Sequence, residues 1–339
     1  MKSTEKKKTG KRLKEKRTDR NILFITYVMV GLFVCLMGYF GYFLQVQSET
    51  VINNSYNARL DSFSDRIIRG EILSSDRTVL AKTNVAEDGT EVREYPYGSL
   101  FAHVVGYSDQ GKTGLESLAN FYLVEQVVNE LSGEKNLGDY VVTTLDVQLQ
   151  QAASDALGDR KGAVVVMEPD TGKILAMVSK PGFDPNQLSS QWESLISGDN
   201  TEAQLLNRAS QGLYPPGSTF KIVTLLEYIQ EHPDTWEGFT FDCDGSYEYG
   251  DYKISCYHGT AHGHQSLLQA FANSCNGAFA SLGLTMDLER MKRTTDELLF
   301  NRDLPLSLAY SKSSFAMGTG ASDWERLQTA IGQGNTQMT

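Results

Sequence analysis

Tyr214-Pro215-Pro216-Gly217-Ser218-Thr219-Phe220-Lys221 is the stretch on which the reading of this chain turns. Two prolines and a glycine close whatever precedes them. Ser218 then opens a run to Gln230 in which Phe220, Ile222, Val223, Leu225, Leu226 and Ile229 are apolar on nearly every side. A helix patterned in this way is expected at the centre of a fold. Ser218 and Lys221 lie three residues apart and share a helical face, so the amine can reach the hydroxyl. A serine hydroxyl is a poor nucleophile until a base takes its proton, and a lysine whose charge is disfavoured by burial can be that base. The helix N-terminus also directs N–H groups toward developing negative charge. The plainer alternative is an N-cap serine followed by a snorkelling lysine. The same spacing recurs at Ser3–Lys6 and Ser132–Lys135, neither of which opens an apolar helix.

Outward from this point the chain reads as a mixed α+β domain beginning near Asp139. Tyr140–Thr144 has the pattern of a strand, and Asp146 caps a helix running to Leu157. Ala163–Met167 and Ile174–Val178 flank Pro169-Asp170-Thr171-Gly172 and predict a β-hairpin. Downstream, a helical run at Leu267–Ala272 breaks at Asn273-Ser274-Cys275-Asn276-Gly277 before Ala278–Leu284 becomes apolar again. At that break the Ser274 hydroxyl and Asn276 amide are candidates to face Ser218 across a cleft. A cap and turn is the alternative, and Ser55-Tyr56-Asn57 matches the same short pattern.

Toward the N-terminus the composition shifts twice. Residues 1–20 hold ten of the 31 Lys and Arg against three of the 42 Asp and Glu, leaving an acidic remainder of 21 against 39. Between them Ile22–Leu44 is almost continuously apolar and aromatic. A bilayer-spanning helix needs ~20 such residues, and a cleavable signal has a shorter apolar run. Basic flanks stay cytoplasmic, so the body is expected outside; the acidic body argues against nucleic acid as partner. From the anchor to about Gly138, short strand and turn signals mark a small module containing Arg69-Gly70, Asp76-Arg77 and Gly114-Leu115-Glu116, with an apolar helical stretch from Leu118 to Val128. Cys243 and Cys256 lie in a Gly-, Asp- and Tyr-rich loop, where a disulfide and two free thiols are both open. His258, His262 and His264 near Cys256 invite a zinc reading, but their spacing matches no tetrahedral pattern, and a surface loop is expected instead.

Ser218-x-x-Lys221 followed by Ser274-x-Asn276 resembles the motif set of penicillin-binding proteins and serine β-lactamases. The Tyr214–Lys221 stretch resembles the nucleophile motif of the high-molecular-weight class B members. Arg69-Gly70, Asp76-Arg77 and Gly114-Leu115-Glu116 resemble their pedestal, and Ile331-Gly332-Gln333-Gly334 a late strand–helix junction of their catalytic domain. The resemblance implies a basic tail (1–20), an anchor helix (21–45), an extracytoplasmic pedestal (46–138) and the N-terminal part of a transpeptidase domain (139–339) with a central antiparallel sheet and helices. It implies a peptidoglycan D,D-transpeptidase of the bacterial cell membrane, with Ser218 acylated by D-alanyl-D-alanine stem peptides or β-lactams. Lys221 would be the base and Ser274 a proton relay. Asn276 would bind the substrate backbone. No metal or organic cofactor is called for, and a membrane-embedded glycan polymerase with other wall-synthesis machinery is the expected partner. A third motif, Lys-Thr/Ser-Gly, belongs after the second. Here Lys8-Thr9-Gly10 and Lys112-Thr113-Gly114 both precede Ser218, so the chain is expected to be a C-terminally truncated fragment. An inactive wall-synthesis scaffold, or a serine hydrolase of the same fold (a carboxypeptidase or β-lactamase), are the alternatives.

Overall fold

The computed structural model describes residues 2–48, 67–124 and 136–339. They fall into two units, Met1–Arg66 and Ile67–Thr339. In the first, helix α1 (Lys2–Tyr42) continues into a π-helical turn at Phe43–Gln47, so the basic residues form the first half of the same helix as the apolar ones. Ile22–Gln47 is 26 residues long, and its most apolar 18-residue window has a mean hydropathy of 2.3 with none of it buried. At ~1.5 Å per residue it exceeds the ~30 Å of a bilayer core.

The second unit begins with strands β1 (Ile67–Ile68), β2 (Ile72–Leu73), β3 (Val79–Val85) and β4 (Glu91–Glu94); β5 (Asn136–Leu137) and β6 (Val141–Val142) follow. Their main sheet has the order β4-β3-β2-β6, antiparallel except for β2 and β6, which run parallel with Ile72 opposite Val141. The strand expected over Tyr140–Thr144 is thus confined to two residues. The helical stretch expected from Leu118 appears as Gly114–Leu118 and Asn120–Val124, and its continuation to Val128 lies outside the described residues. One core joins this region to the next: Ile72, Leu80, Tyr95, Phe101, Val104 and Leu123 pack with Leu145 and Met177.

Glu116, fully buried, organises this small β-rich region. Arg69 Nε donates to its Oε2 at 2.6 Å and Arg93 Nε to its Oε1 at 2.8 Å, with the Tyr95 hydroxyl adding a 3.2 Å bond. Arg69 also reaches Asn120, and Arg93 the Gly70 carbonyl, each at 2.6 Å. The two family-like motifs, Arg69-Gly70 and Gly114-Leu115-Glu116, are therefore halves of one interaction. Gly70 must be glycine because a Cβ there would collide with the Asp139 carbonyl. Burial drives the Glu116 carboxyl upward, but the two guanidiniums outweigh it and hold its pKa below the usual value.

Helix α2 (Val147–Leu157) starts at Asp146, whose carboxylate accepts the Leu149 N–H at 2.8 Å. It packs on the antiparallel hairpin β7 (Gly162–Met167) and β8 (Ile174–Lys180) through Ala153, Ala176 and Val178. The buried Gln150 amide donates to the Leu100 and Met177 carbonyls and accepts the Met177 N–H, each at 2.8 Å.

Helix α3 (Lys221–Glu231) follows a 3-10 turn at Gly217–Phe220. It is less central than its apolar pattern implies. Ile222 is 60% and Leu226 38% exposed, while the buried positions include Thr224 and Glu227. Glu227 is bonded by Arg290 and Thr294, so this helix buries a polar face. After β9 (Thr240–Cys243), β10 (Ser246–Tyr249), β11 (Tyr252–Ser255), β12 (Gly263–Ser266) and α4 (Leu267–Ala272), the central place goes to α5 (Asn276–Thr285). Gly277, Ala278, Phe279, Ala280, Leu282 and Gly283 are all buried there. A Cβ on Gly283 would collide with Ala330, so the last helix, α6 (Asp323–Thr329), and its C-cap approach closely. Arg326 of that helix donates to the carbonyls of Gly283, Leu284 and Met286, satisfying groups that the end of α5 leaves unpaired. The architecture is α+β, an apolar helix and a small β-rich region preceding a domain of sheet and helices.

Candidate active site

The turn Gly217–Phe220 places Ser218 at the mouth of α3, with its side chain exposed. Phe220, one residue short of Lys221, is 1% exposed and stacks on Phe315 with ring centroids 6.1 Å apart. Burying such a ring is worth ~1.5–3 kcal/mol, and it fixes where the helix begins. Lys221 is itself only 1% exposed. Its Nζ lies 3.4 Å from Ser218 Oγ, within reach of a proton transfer though not a tight bond.

The second motif comes from the break between α4 and α5. Ser266 and Gln269 form a reciprocal capping box at the start of α4, and the helix stops at Asn273. Ser274 then takes a left-handed conformation (φ 51°), rare for a residue with a side chain and characteristic of constrained sites. The turn aims Ser274 and Asn276 at Lys221: Nζ donates to the Ser274 carbonyl at 2.7 Å, to its Oγ at 3.1 Å and to Asn276 Oδ1 at 2.6 Å. Asn276 Nδ2 donates to the Ser255 carbonyl at 2.9 Å. Its amide is thus anchored on both sides, and in this structure it positions Lys221. All four residues read from the sequence, Ser218, Lys221, Ser274 and Asn276, come together.

None of the oxygens around Nζ carries a formal charge. Burial therefore prevails and lowers the Lys221 pKa to about 8, against an opposing pull from Cys275 and Cys256. At neutral pH roughly a tenth of the amine is unprotonated, enough to accept the Ser218 proton.

The cleft above Ser218, of ≈ 510 Å³, is lined by Ser274 and Asn276 and also by Tyr257, Thr260, His262 and Gln333. Sequence reading missed these last four as cleft residues. The signal for Gln333 lay in its flanking glycines: Gly332 has φ +73°, a Cβ on it would collide with the Gly217 carbonyl, and its own carbonyl accepts the Gly217 N–H at 2.7 Å. The Gly332-Gln333-Gly334 turn is a wall of the nucleophile pocket; the strand expected at that junction is reduced to isolated bridges pairing Tyr214 with Met338 and Ser314 with Gln337. Of the chance matches, Ser132–Lys135 and Ser55-Tyr56-Asn57 lie outside the described residues. Lys112-Thr113-Gly114 lies in the small β-rich region, where Thr113 N–H bonds the Tyr107 carbonyl.

Cys243 and Cys256 are free thiols with sulfurs 3.7 Å apart, so the disulfide is not formed. Of the three histidines, His264 is exposed and bonds Asp242, and His258 is exposed. Only His262 meets the cysteines, with Nδ1 3.3 Å from Cys243 Sγ.

An exposed serine at a helix mouth, a buried and partly neutral amine, and a second hydroxyl on the amine's far side can carry acyl transfer through the serine. Comparison with known proteins places that chemistry in a family. Residues 162–339 match the penicillin binding protein transpeptidase domain and residues 69–140 the penicillin binding protein A dimerisation domain. The chain belongs to the penicillin-binding protein transpeptidase family. It is 32% identical over 316 residues to the peptidoglycan D,D-transpeptidase PbpA of Mycobacterium tuberculosis, covering 83% of this chain and 61% of that one. Over 79% of its length it superposes on the D,D-transpeptidase domain of a peptidoglycan glycosyltransferase from Eggerthella lenta, with TM-score 0.71, 36% identity and 62% of that chain covered. The imipenem acyl-enzyme complex of M. tuberculosis penicillin-binding protein A gives TM-score 0.72 at 28% identity, covering 80% of this chain and 67% of that one. The chain spans about half to three fifths of the length of its PbpA relatives.

Proposed function

We propose that this protein is a membrane-anchored peptidoglycan D,D-transpeptidase that acts through an acyl-enzyme on Ser218. The observation that carries the proposal is the Lys221 amine, buried among uncharged oxygens 3.4 Å from Ser218 Oγ. Neutral Lys221 takes the Ser218 proton as Oγ attacks the carbonyl of a D-alanyl-D-alanine stem peptide. N–H groups at the mouth of the helix face the oxyanion. Ser274, bonded to the same Nζ, passes a proton to the departing D-alanine amine, and the remaining Asn276 N–H binds the peptide. An amine of a neighbouring stem peptide then attacks the ester, forming the cross-link and freeing Ser218. A β-lactam acylates the same serine.

Residues 21–45 serve as anchor, 46–138 as pedestal and 139–339 as part of the catalytic domain. The basic N-terminal segment lies in the cytoplasm and the body outside, in keeping with the charge asymmetry. A glycan polymerase and other wall-synthesis proteins would be its partners in the membrane. The test is fluorescent penicillin added to membranes of cells expressing the gene. Labelling should map to Ser218 by mass spectrometry and vanish in Ser218→Ala. An adduct elsewhere, or labelling that survives the substitution, refutes the mechanism. With a stem-peptide donor and an amine acceptor, D-alanine release without cross-linked product would identify a hydrolase instead.

A further inference from the structure

Beside the cleft four side chains converge for which acyl transfer has no use. Cys243 ends β9, Cys256 follows β11, His262 immediately precedes β12, and Cys275 caps α5. Pairing of β9 with β12 sets Cys243 opposite Gly263, beside His262. The sulfurs of Cys243 and Cys256 are 3.7 Å apart and those of Cys256 and Cys275 3.8 Å. His262 Nδ1 is 3.3 Å from Cys243 Sγ, and all four donor atoms lie within 4.8 Å of one another.

These spacings fit a metal tetrahedron. With zinc–sulfur bonds of ~2.3 Å and a zinc–nitrogen bond of ~2.0–2.1 Å, tetrahedral angles give sulfur–sulfur edges of ~3.8 Å and sulfur–nitrogen edges of ~3.5 Å. A disulfide needs ~2.05 Å and joins only two of three equivalent thiols. Cys243, Cys256 and Cys275 are 3%, 4% and 0% exposed, so the donors face one another and not water. The Ala278 N–H donates to Cys275 Sγ at 3.4 Å, an outer bond of the kind that orients a thiolate ligand. Gly245, at φ +106°, lets the loop close over the cluster where a Cβ would collide with the Gly259 carbonyl.

We infer that Cys243, Cys256, His262 and Cys275 form a closed, four-coordinate zinc(II) site. Three thiolates and an imidazole select zinc over magnesium, calcium or manganese, and four protein ligands leave no position for a substrate. On binding, the thiols release their protons to solvent as the zinc–sulfur bonds form. The site ties the loop bearing Tyr257, Thr260 and His262 to the turn bearing Ser274 and Asn276, because Cys275 is the residue between them. The role is one of positioning. It goes beyond the acyl-transfer reading and does not depend on it.

The full chain, extracted in detergent and desalted through metal-free buffer, should retain about one zinc per chain by elemental analysis. Cobalt(II) exchanged into it should show the intense visible bands of a tetrahedral centre and sulfur-to-cobalt charge transfer in the near ultraviolet. Cys275→Ser and His262→Asn should lower zinc retention at least tenfold, and Cys35→Ser should leave it unchanged. Should the cysteine variants fail to fold, thiol titration of the unaltered protein decides, since a chelator should expose three further reactive thiols. Zinc below half an equivalent, an octahedral or absent cobalt spectrum, thiols fully reactive without chelator, or a Cys243–Cys256 disulfide in protein isolated without reductant would each overturn the site.

Discussion

Glu116 and Lys221 are both almost fully buried, at 0% and 1% exposure, yet their surroundings differ in kind. Glu116 sits between two guanidiniums that keep it charged. Among the described bonds of Lys221, every acceptor is an uncharged oxygen. The same cost of burying charge is offset in one place and left standing in the other. Where it is offset, the product is a rigid joint. Where it is left standing, the product is an amine whose pKa falls to about 8 and can act as a base. A buried ionisable group is therefore informative chiefly through what surrounds it.

The contrast predicts opposite phenotypes. Lys221→Met should slow acylation by ~10²–10⁴-fold, the usual loss of a general base, while thermal stability changes little. Stability should not suffer greatly because the lysine is held below its unfolded pKa. Between pH 8 and about 10.5 the unfolded chain binds the extra proton, so native stability rises with pH across that window and is penalised in full below it. A variant that labels at the normal rate, or that unfolds outright, breaks the comparison. Glu116→Gln should do the reverse. It strands two buried guanidiniums and should cost ~3–5 kcal/mol in thermal or denaturant unfolding. The unaltered protein should show the matching acid limb: the depressed carboxyl stabilises it above the ordinary unfolded pKa, and that contribution is lost as pH falls through the folded value. A melt that Glu116→Gln leaves unchanged would mean that solvent reaches the pair.

A smaller effect sharpens the Lys221 half. The acylation rate should climb about tenfold from pH 7 and level off above pH 9, following the neutral amine with its midpoint near 8. A profile flat from pH 6 to 9 would assign the base to another group.

The difference between the two clusters also explains what the sequence could disclose. Ser218, Lys221, Ser274 and Asn276 were legible because each sits at a fixed spacing beside a chain break, where local geometry settles direction. The helix after Asp146 and the hairpin around Pro169–Gly172 were legible for the same reason, from a cap and from a turn between two apolar runs. The partners of Glu116 come from 47 and 23 residues away and leave no local mark. The cleft residues Tyr257, Thr260 and His262 lie on a loop whose course follows from the pairing of β9 and β12. Cys243 and Cys275, 32 positions apart, meet His262 only through that pairing and the α5 cap. The apolar pattern of α3 misled because its period says which residues are apolar, not whether a helix is covered on both sides; Glu227 and Thr224 took the inward face.

The smallest expected effect falls on the helix between the two clusters. Asp146 accepts the Leu149 N–H, and the helix it starts carries Gln150, whose amide bonds Leu100 beside the Glu116 region and Met177 in the hairpin. Asp146→Ala removes one cap bond from a helix otherwise held by packing, and such losses are typically ~1 kcal/mol. The unfolding free energy should fall by that amount while acylation and its pH midpoint stay fixed, because none of the described bonds of Lys221 involves Asp146. If acylation falls together with stability, the two clusters are coupled through Gln150, and burial at Lys221 depends on the Glu116 region. Gln150→Leu would then act more strongly in the same direction, since it strands the Leu100 and Met177 carbonyls and the Met177 N–H in the core. An unchanged acylation rate in both variants would establish that the amine is tuned by its own shell alone.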